Sequence, residues 1–258
     1  MQNLMVHLAS AWMIAVILVS IRIGMVLVMT PVLGSTGLPA RIKVLFVFAF
    51  SAALVSMTGL HLNTAVNNPI NLLIAVLNEI VWGGLLGLGL LAAFSAFMVA
   101  GRVLDMQIGF GLANLFDPST RTNAPLLGVA LHLYAIAWFL AVDAHHVALR
   151  GLAKSFDLAP LGASLREVPL DAIVHHFGLS FSLGLVLVGA AVVCLLLVDI
   201  GMGVASRVLP QANVFILSMT VKIFAGLVTL AIAVLYMQPV IKKLFEQVFN
   251  FWEAVLVN

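Results

Sequence analysis

Charge is what this sequence has least of. Asp, Glu, Lys and Arg make up 9% of its 258 residues, against about 25% in soluble globular domains, and that shortage excludes an ordinary water-soluble fold. Cysteine is nearly absent: Cys194 is alone and sits in an apolar run, so no disulfide framework and no cysteine metal site can form within one chain. The basic residues are scattered and the net charge is +2, which leaves no polybasic patch for nucleic acid or anionic headgroups. The HExxH zinc motif is missing. An intramembrane enzyme needs paired carboxylates, a nucleophile with its base, or a metal set at matched depth. The available acids Asp105, Asp117 and Asp199 each stand at the end of an apolar run beside Gly or Pro, where capping accounts for them. Nothing in the sequence asks for an enzyme, a metal or a cofactor. The opening residues MQNLMVHLASAW lack a basic n-region, so they read as a retained membrane helix rather than a cleaved signal.

What the chain does have is long apolar runs. Hydrophobic residues reach 63%, where soluble domains hold about 45–50%, and 258 residues leave room for about six spans of roughly 20 residues in a single domain. The fold class is therefore all-α membrane protein, with about six long hydrophobic helices arranged as hairpins. Leu8 to Val28 is the first candidate span and contains Arg22, whose charge must face protein or water rather than lipid. A turn-rich stretch with Pro31, Gly34, Gly37 and Pro39 leads to Val44–Leu60. Ile70 to Ala100 is too long for one straight crossing, so it should tilt, kink or extend beyond the membrane; it holds Glu79, and Gly83 with Gly87 permits close helix approach. Asn123 can cap a fourth helix running to about Val142.

The connection from Asp143 to about Phe177 mixes both charges with Leu149, Leu152 and Phe156, which reads as partly helical interfacial structure. Leu179–Val198 and Val214–Tyr236 are the last two spans, the latter with Lys222 inside it. After Pro239 the residues Ile241, Leu244, Phe245, Val248, Phe251, Trp252 and Val255 recur at helical spacing, giving a C-terminal amphipathic helix suited to a membrane interface or a partner's groove. Basic residues divide evenly between the two sides of the membrane, so the positive-inside rule leaves the orientation open.

Three constellations could carry function. Asp143, His145 and His146, with His175 and His176 on the same connection, have the ligand chemistry for zinc. Adjacent histidines, however, point to different helix faces, and helix-end polar packing is the expected reading. Arg22, Glu79 and Lys222 are the most deeply placed ionisable residues; they should pair with each other or with neighbouring subunits rather than form a transport pathway. The third is Gly101–Thr122. It is too polar and glycine-broken to cross lipid comfortably, yet its apolar side chains suit protein better than water. Gly109 and Gly111 allow backbone bends, and Asp117 with Pro118 has the form of a helix start. Such a segment belongs inside protein or against a watery cavity.

The landmarks in order are Arg22; Pro31 with Gly34; Pro39 with Arg41; Asp105, Gln107 and Gly109; Asp117 with Pro118; His145 with His146, Ser155 and Pro160; and Pro210, Gln211, Asn213, Lys222 and Gly226. This set resembles the FliR family of flagellar export-gate proteins, whose injectisome counterpart is the SctT family, and the wording of residues 105–122 looks more flagellar. The resemblance implies a single integral membrane domain over residues 1–258. Residues 1–178 would form a FliP-like part with a plug loop over 106–122, and 179–258 a FliQ-like hairpin and tail.

By the same resemblance the chain is a non-enzymatic core subunit of the type III secretion export gate, forming part of the protein-conducting channel. It needs no cofactor and binds no nucleic acid. Its plug comprises Met106, Gln107, Ile108, Gly109, Phe110, Gly111, Leu112, Leu115, Phe116, Asp117 and Pro118. Subunit-contact or buried polar candidates are Arg22, Glu79, Asp105, Pro210, Asn213 and Lys222. The implied partners are FliP-like and FliQ-like subunits, in a hetero-oligomer with one copy of this chain, then an FlhB-like switch protein, exported unfolded chains and membrane lipid. The implied place is the bacterial inner membrane, in the flagellar basal body, projecting to the periplasmic side. The alternative is a small-solute or ion-coupled secondary transporter, which would show inverted repeats and a midplane ion site.

Overall fold

The computed structural model describes residues 2–31, 39–60, 69–110, 125–164, 170–208 and 214–257. Among these residues the chain forms helices only: α1 (Gln2–Met29), α2 (Ala40–Thr58), α3 (Pro69–Ile108), α4 (Leu126–Ala141), α5 (Ala144–Leu158), α6 (Leu170–Val208), α7 (Val214–Tyr236) and α8 (Gln238–Val257). Proline placement accounts for much of this pattern. The described helices contain proline only at Pro69 and Pro239, the first and second positions of α3 and α8, where the missing N–H has no intrahelical partner to lose. Five helices are long and apolar enough to cross a membrane, or up to six if α4 and α5, bent by 74° to one another, make one broken span.

The long third run neither breaks nor stops at Ala100. It is one helix of 40 residues, about 60 Å at 1.5 Å per residue, twice the roughly 30 Å hydrocarbon core. Its most apolar window is 67% buried by the rest of the chain, against 11% for α7. So α3 acts as an internal mast, whereas α7 leaves its apolar flanks uncovered. The span expected at Leu179–Val198 is likewise longer, 39 residues in α6, because His175, His176 and Asp199 lie in helical register and interrupt nothing. The final span has the expected bounds.

The chain divides into two compact units. The first comprises Met1–Leu91, Phe139–His176 and Val248–Asn258. Its buried side chains include Leu18, Ile23, Trp82, Leu86, Leu152, Phe156 and Trp252. Trp252 donates its indole N–H to the Leu86 carbonyl at 2.9 Å, and the His176 ring stacks on Phe251 and reaches the Gly89 carbonyl at 3.0 Å. The second unit comprises Ala92–Trp138 and Phe177–Gln247. Phe245 organises an aromatic cluster there, 5.2 Å from Phe94 and 5.8 Å from Trp138, ring centre to centre.

The apolar face of the amphipathic helix after Pro239 is not left open for a membrane surface or a partner's groove. Ile241, Leu244, Phe245, Val248, Phe251, Trp252 and Val255 are all buried in this chain. The apolar stripe was legible, but its cover is intramolecular.

In the second unit α3 and α4 touch through glycines: a Cβ built on Gly101 would collide with the backbone of Gly128. A backbone atom cannot rotate away as a side chain can. Gly101→Ala should therefore lower the melting temperature of the detergent-solubilised protein, at an overpacking cost of about 1–3 kcal/mol or more. Gly84→Ala, where nothing lies within 4 Å, should be neutral or stabilising through helix propensity. Equal melting temperatures for the two variants would refute the contact.

Candidate functional site

The most completely bonded site is built on Arg22. It lies on α1 and is fully buried, as is Glu79 on α3. The helices come close enough for this because residue 83 has no side chain; a Cβ there would lie 2.7 Å from the Arg22 carbonyl oxygen. Arg22 Nε and Nη2 donate to Glu79 Oε2 and Oε1 at 2.6 and 3.0 Å, the bidentate fork that a guanidinium makes with a carboxylate. Nη1 donates to the Ser155 carbonyl and hydroxyl oxygens at 3.1 and 3.2 Å, and Nη2 also to the Ala159 carbonyl at 3.0 Å.

All five guanidinium N–H groups are thereby matched by acceptors, and the ring of Phe156 lies 4.2 Å from the charge as a cation–π partner. Glu79 Oε1 accepts a further bond from Gly162 N–H at 2.9 Å. Asn78 and Trp82, beside Glu79 on α3, donate to the Gly162 and Ala163 carbonyls. One arginine thus ties α1, α3, α5 and the turn after α5 together. Pairing between Arg22 and Glu79 was expected. Their dependence on Ser155, Ala159 and Gly162 was not, since a backbone carbonyl or amide has no signature in the sequence.

A second site is the C-terminal end of α3. Met106, Gln107 and Ile108 do not belong to a loop; they form the last helical turn, because Leu104 and Ile108 continue its buried face. Gly109 then adopts φ 97° and donates its N–H to the Asp105 carbonyl at 3.1 Å, a left-handed helix end that suits glycine. Ile108 is buried, with its side chain where a Cβ on Gly226 would stand, so it anchors this end to α7 rather than facing a lumen. Met106 is 65% exposed. Asp105 serves as a cap, although not of its own helix: its carboxylate accepts from the N–H groups of Leu127 and Gly128 at 3.1–3.3 Å. It holds the amino end of α4, where negative charge complements the helix dipole. Phe110 is half-buried just beyond. Gly111, Leu112, Leu115, Phe116, Asp117, Pro118 and Asn123, and also Pro210 and Asn213, lie outside the described residues.

Lys222 forms an ion pair with Asp199 between α7 and α6, so Asp199 is a counter-ion rather than a cap. The two histidines expected to diverge do not: the rings of His145 and His146 lie 4.1 Å apart. They occupy the first turn of α5, just after the left-handed residue Asp143. Both members of the Arg22–Glu79 pair are sealed from solvent and bound to each other.

Residues 13–248 match the family described as bacterial export proteins, family 1. The chain belongs to this family. Flagellar biosynthetic protein FliR of Bacillus subtilis (strain 168) is 27% identical over 236 residues, 90% of each chain. The FliR protein of Aquifex aeolicus (strain VF5) is 27% identical over 243 residues, 94% of this chain and 93% of its own. The surface presentation of antigens protein SpaR of Shigella flexneri is 25% identical over 192 residues, 74% of each. Both branches expected of the FliR and SctT family are thus among the relatives, and the two FliR likenesses just given extend further along the chain than the SpaR one. The export-family match includes Arg22, Glu79, Asp105 and Lys222.

Removing one member of the buried pair strands the other. Arg22→Met or Glu79→Leu alone should destabilise by about 3–5 kcal/mol, seen as a sharp fall in melting temperature or loss of the folded species in detergent. The double variant should be more stable than either single. Strict additivity of the two losses would show that the residues do not act as a unit.

Proposed function

We propose that this chain is a non-enzymatic core subunit of a type III secretion export gate for flagellar substrates, contributing part of the protein-conducting channel and its plug. The observation that carries the proposal is the likeness to FliR proteins through nearly the whole chain. The chain takes its place once in a hetero-oligomer with FliP-like and FliQ-like subunits, with an FlhB-like protein beside it. It sits in the inner membrane within the flagellar basal body and projects to the periplasmic side. Uncovered apolar side chains support an assembled state: Met57 on α2, Val193 and Leu197 on α6, and Phe224 and Leu235 on α7 are exposed in the isolated chain. Neighbouring subunits or lipid would remove that surface from water, which is favourable at about 25 cal/mol per Å².

The end of α3 suits the base of a plug. Asp105 and Ile108 pin the helix end to α4 and α7, whereas Met106 stands exposed and Gly109 turns the chain out of the helix. A segment so mounted has a fixed root and a hinge. Closed, its apolar side chains seal the channel; opened, it swings aside for an unfolded substrate chain while α3 stays in place.

Two measurements test this reading separately. The tagged chain, co-expressed with FliP-like and FliQ-like proteins of the same organism, should bring both down as one stable complex; recovery of a lone monomer that transports a small solute in liposomes would overturn the gate assignment. In planar bilayers, the complex lacking Gly109–Phe116 should pass ions more readily than the intact one. Unchanged conductance would remove the plug while leaving the gate standing.

A further inference from the structure

The corner between α4 and α5 carries features that neither helix packing nor the gate reading uses. Asp143 adopts φ 57°, the only non-glycine residue with positive φ among the described residues, a conformation that costs free energy and persists where surroundings enforce it. It stands at the N-cap of α5, the position where aspartate ordinarily binds the first helical N–H groups, yet its side chain makes no capping bond. Its carboxylate is turned instead toward His146, with Oδ1 3.4 Å from Nδ1. The neighbouring His145 has its Nδ1 buried from solvent with no hydrogen-bond partner, and its ring lies 4.1 Å from that of His146. One ligand atom from each of Asp143, His145 and His146 lies within 4.8 Å of the others.

We propose that these three residues bind a first-row divalent metal ion of the zinc class, a site independent of the plug and of the Arg22 clasp. The donor set, two neutral imidazoles and a carboxylate, is the chemistry that zinc, nickel and copper favour over magnesium or calcium. Zn–N and Zn–O bonds of about 2.0–2.2 Å in a tetrahedron place ligand atoms about 3.3–3.6 Å apart. The Asp143–His146 separation already meets that spacing, and side-chain rotation brings in the third ligand. Asp143 and His146 are both largely exposed, so the ion enters from solvent and keeps at least one position for water. Bound there, it fixes the Asp143 side chain to the first turn of α5 and holds Asp143 in its left-handed conformation.

The test uses the full chain in detergent, carrying an affinity tag without histidine, with Zn2+ titrated by calorimetry and Co2+ by its visible absorption. Expected are one Zn2+ per chain, Co2+ bands of a nitrogen- and oxygen-liganded site, and a rise in melting temperature with Zn2+. His146→Ala should weaken binding by at least about 100-fold and Asp143→Asn by at least about 10-fold, ligand loss costing no less than loss of an outer partner. His175→Ala, exposed on α6, should bind as wild type does. Both His146 and Asp143 are exposed, so their variants should elute and melt as the metal-free wild type does. Absence of stoichiometric Zn2+ binding by the wild type, or unchanged affinity in His146→Ala, would overturn the proposal and leave the cluster as a hydrogen-bonded helix end. The Co2+ spectrum of the wild type decides the matter even if a variant fails to fold.

Discussion

A guanidinium removed from water must find as many acceptors as it has N–H groups, or its burial costs more than the surrounding fold can supply. Arg22 meets this demand with two oxygens of Glu79, two of Ser155 and one of Ala159. No one helix could provide them. The first compact unit is therefore specified by a polar requirement inside an apolar environment: α1 and α3 must cross at Gly83, and α5 must end where its last carbonyls face the arginine. Apolar contacts alone would let these helices slide or rotate at little cost, since a leucine packs against many surfaces. A five-bonded arginine accepts one arrangement.

The same economy governs the end of α3 in the second unit. Asp105 gives its charge to the amino terminus of α4 rather than to its own helix, and the glycine contact between residues 101 and 128 sets the distance over which it does so. The plug proposal leans on this join, because a channel-closing segment needs a root that does not move with it. Helices of 39 and 40 residues exceed what a bilayer spans, so a good part of their apolar surface must be covered by protein. In α3 that cover is mostly the chain itself; in α6 and α7 most of the apolar surface is left uncovered.

Composition and long apolar runs made the all-α membrane class readable, and the last span met its expected bounds near Val214 and Tyr236 although Lys222 lies inside it. Lengths of α3 and α6 were underestimated, since a bilayer-based limit of about 20 residues does not apply to helices buried in protein. The acid at position 105 was recognised as a cap, but not that it serves a helix 22 residues onward. Ser155 and Gly162 escaped notice as partners of the clasp because they act largely through backbone atoms. His145 and His146 were expected on different helix faces; they are consecutive residues in the first turn of α5, and their rings nevertheless approach to 4.1 Å.

The Arg22 clasp also has a history in time. Its acceptors on Ser155 and Ala159 lie 133 and 137 positions further along the chain, and at synthesis rates of about 5–20 residues per second they emerge roughly 7–27 s after the arginine. Glu79, 57 positions on, reaches it sooner with the counter-charge, but the three remaining acceptors are missing for that whole interval. Only a chain completed past α5 supplies them, so a truncated or stalled product leaves Arg22 with two of its five acceptors. The residue that locks the finished fold thus also distinguishes finished from unfinished molecules.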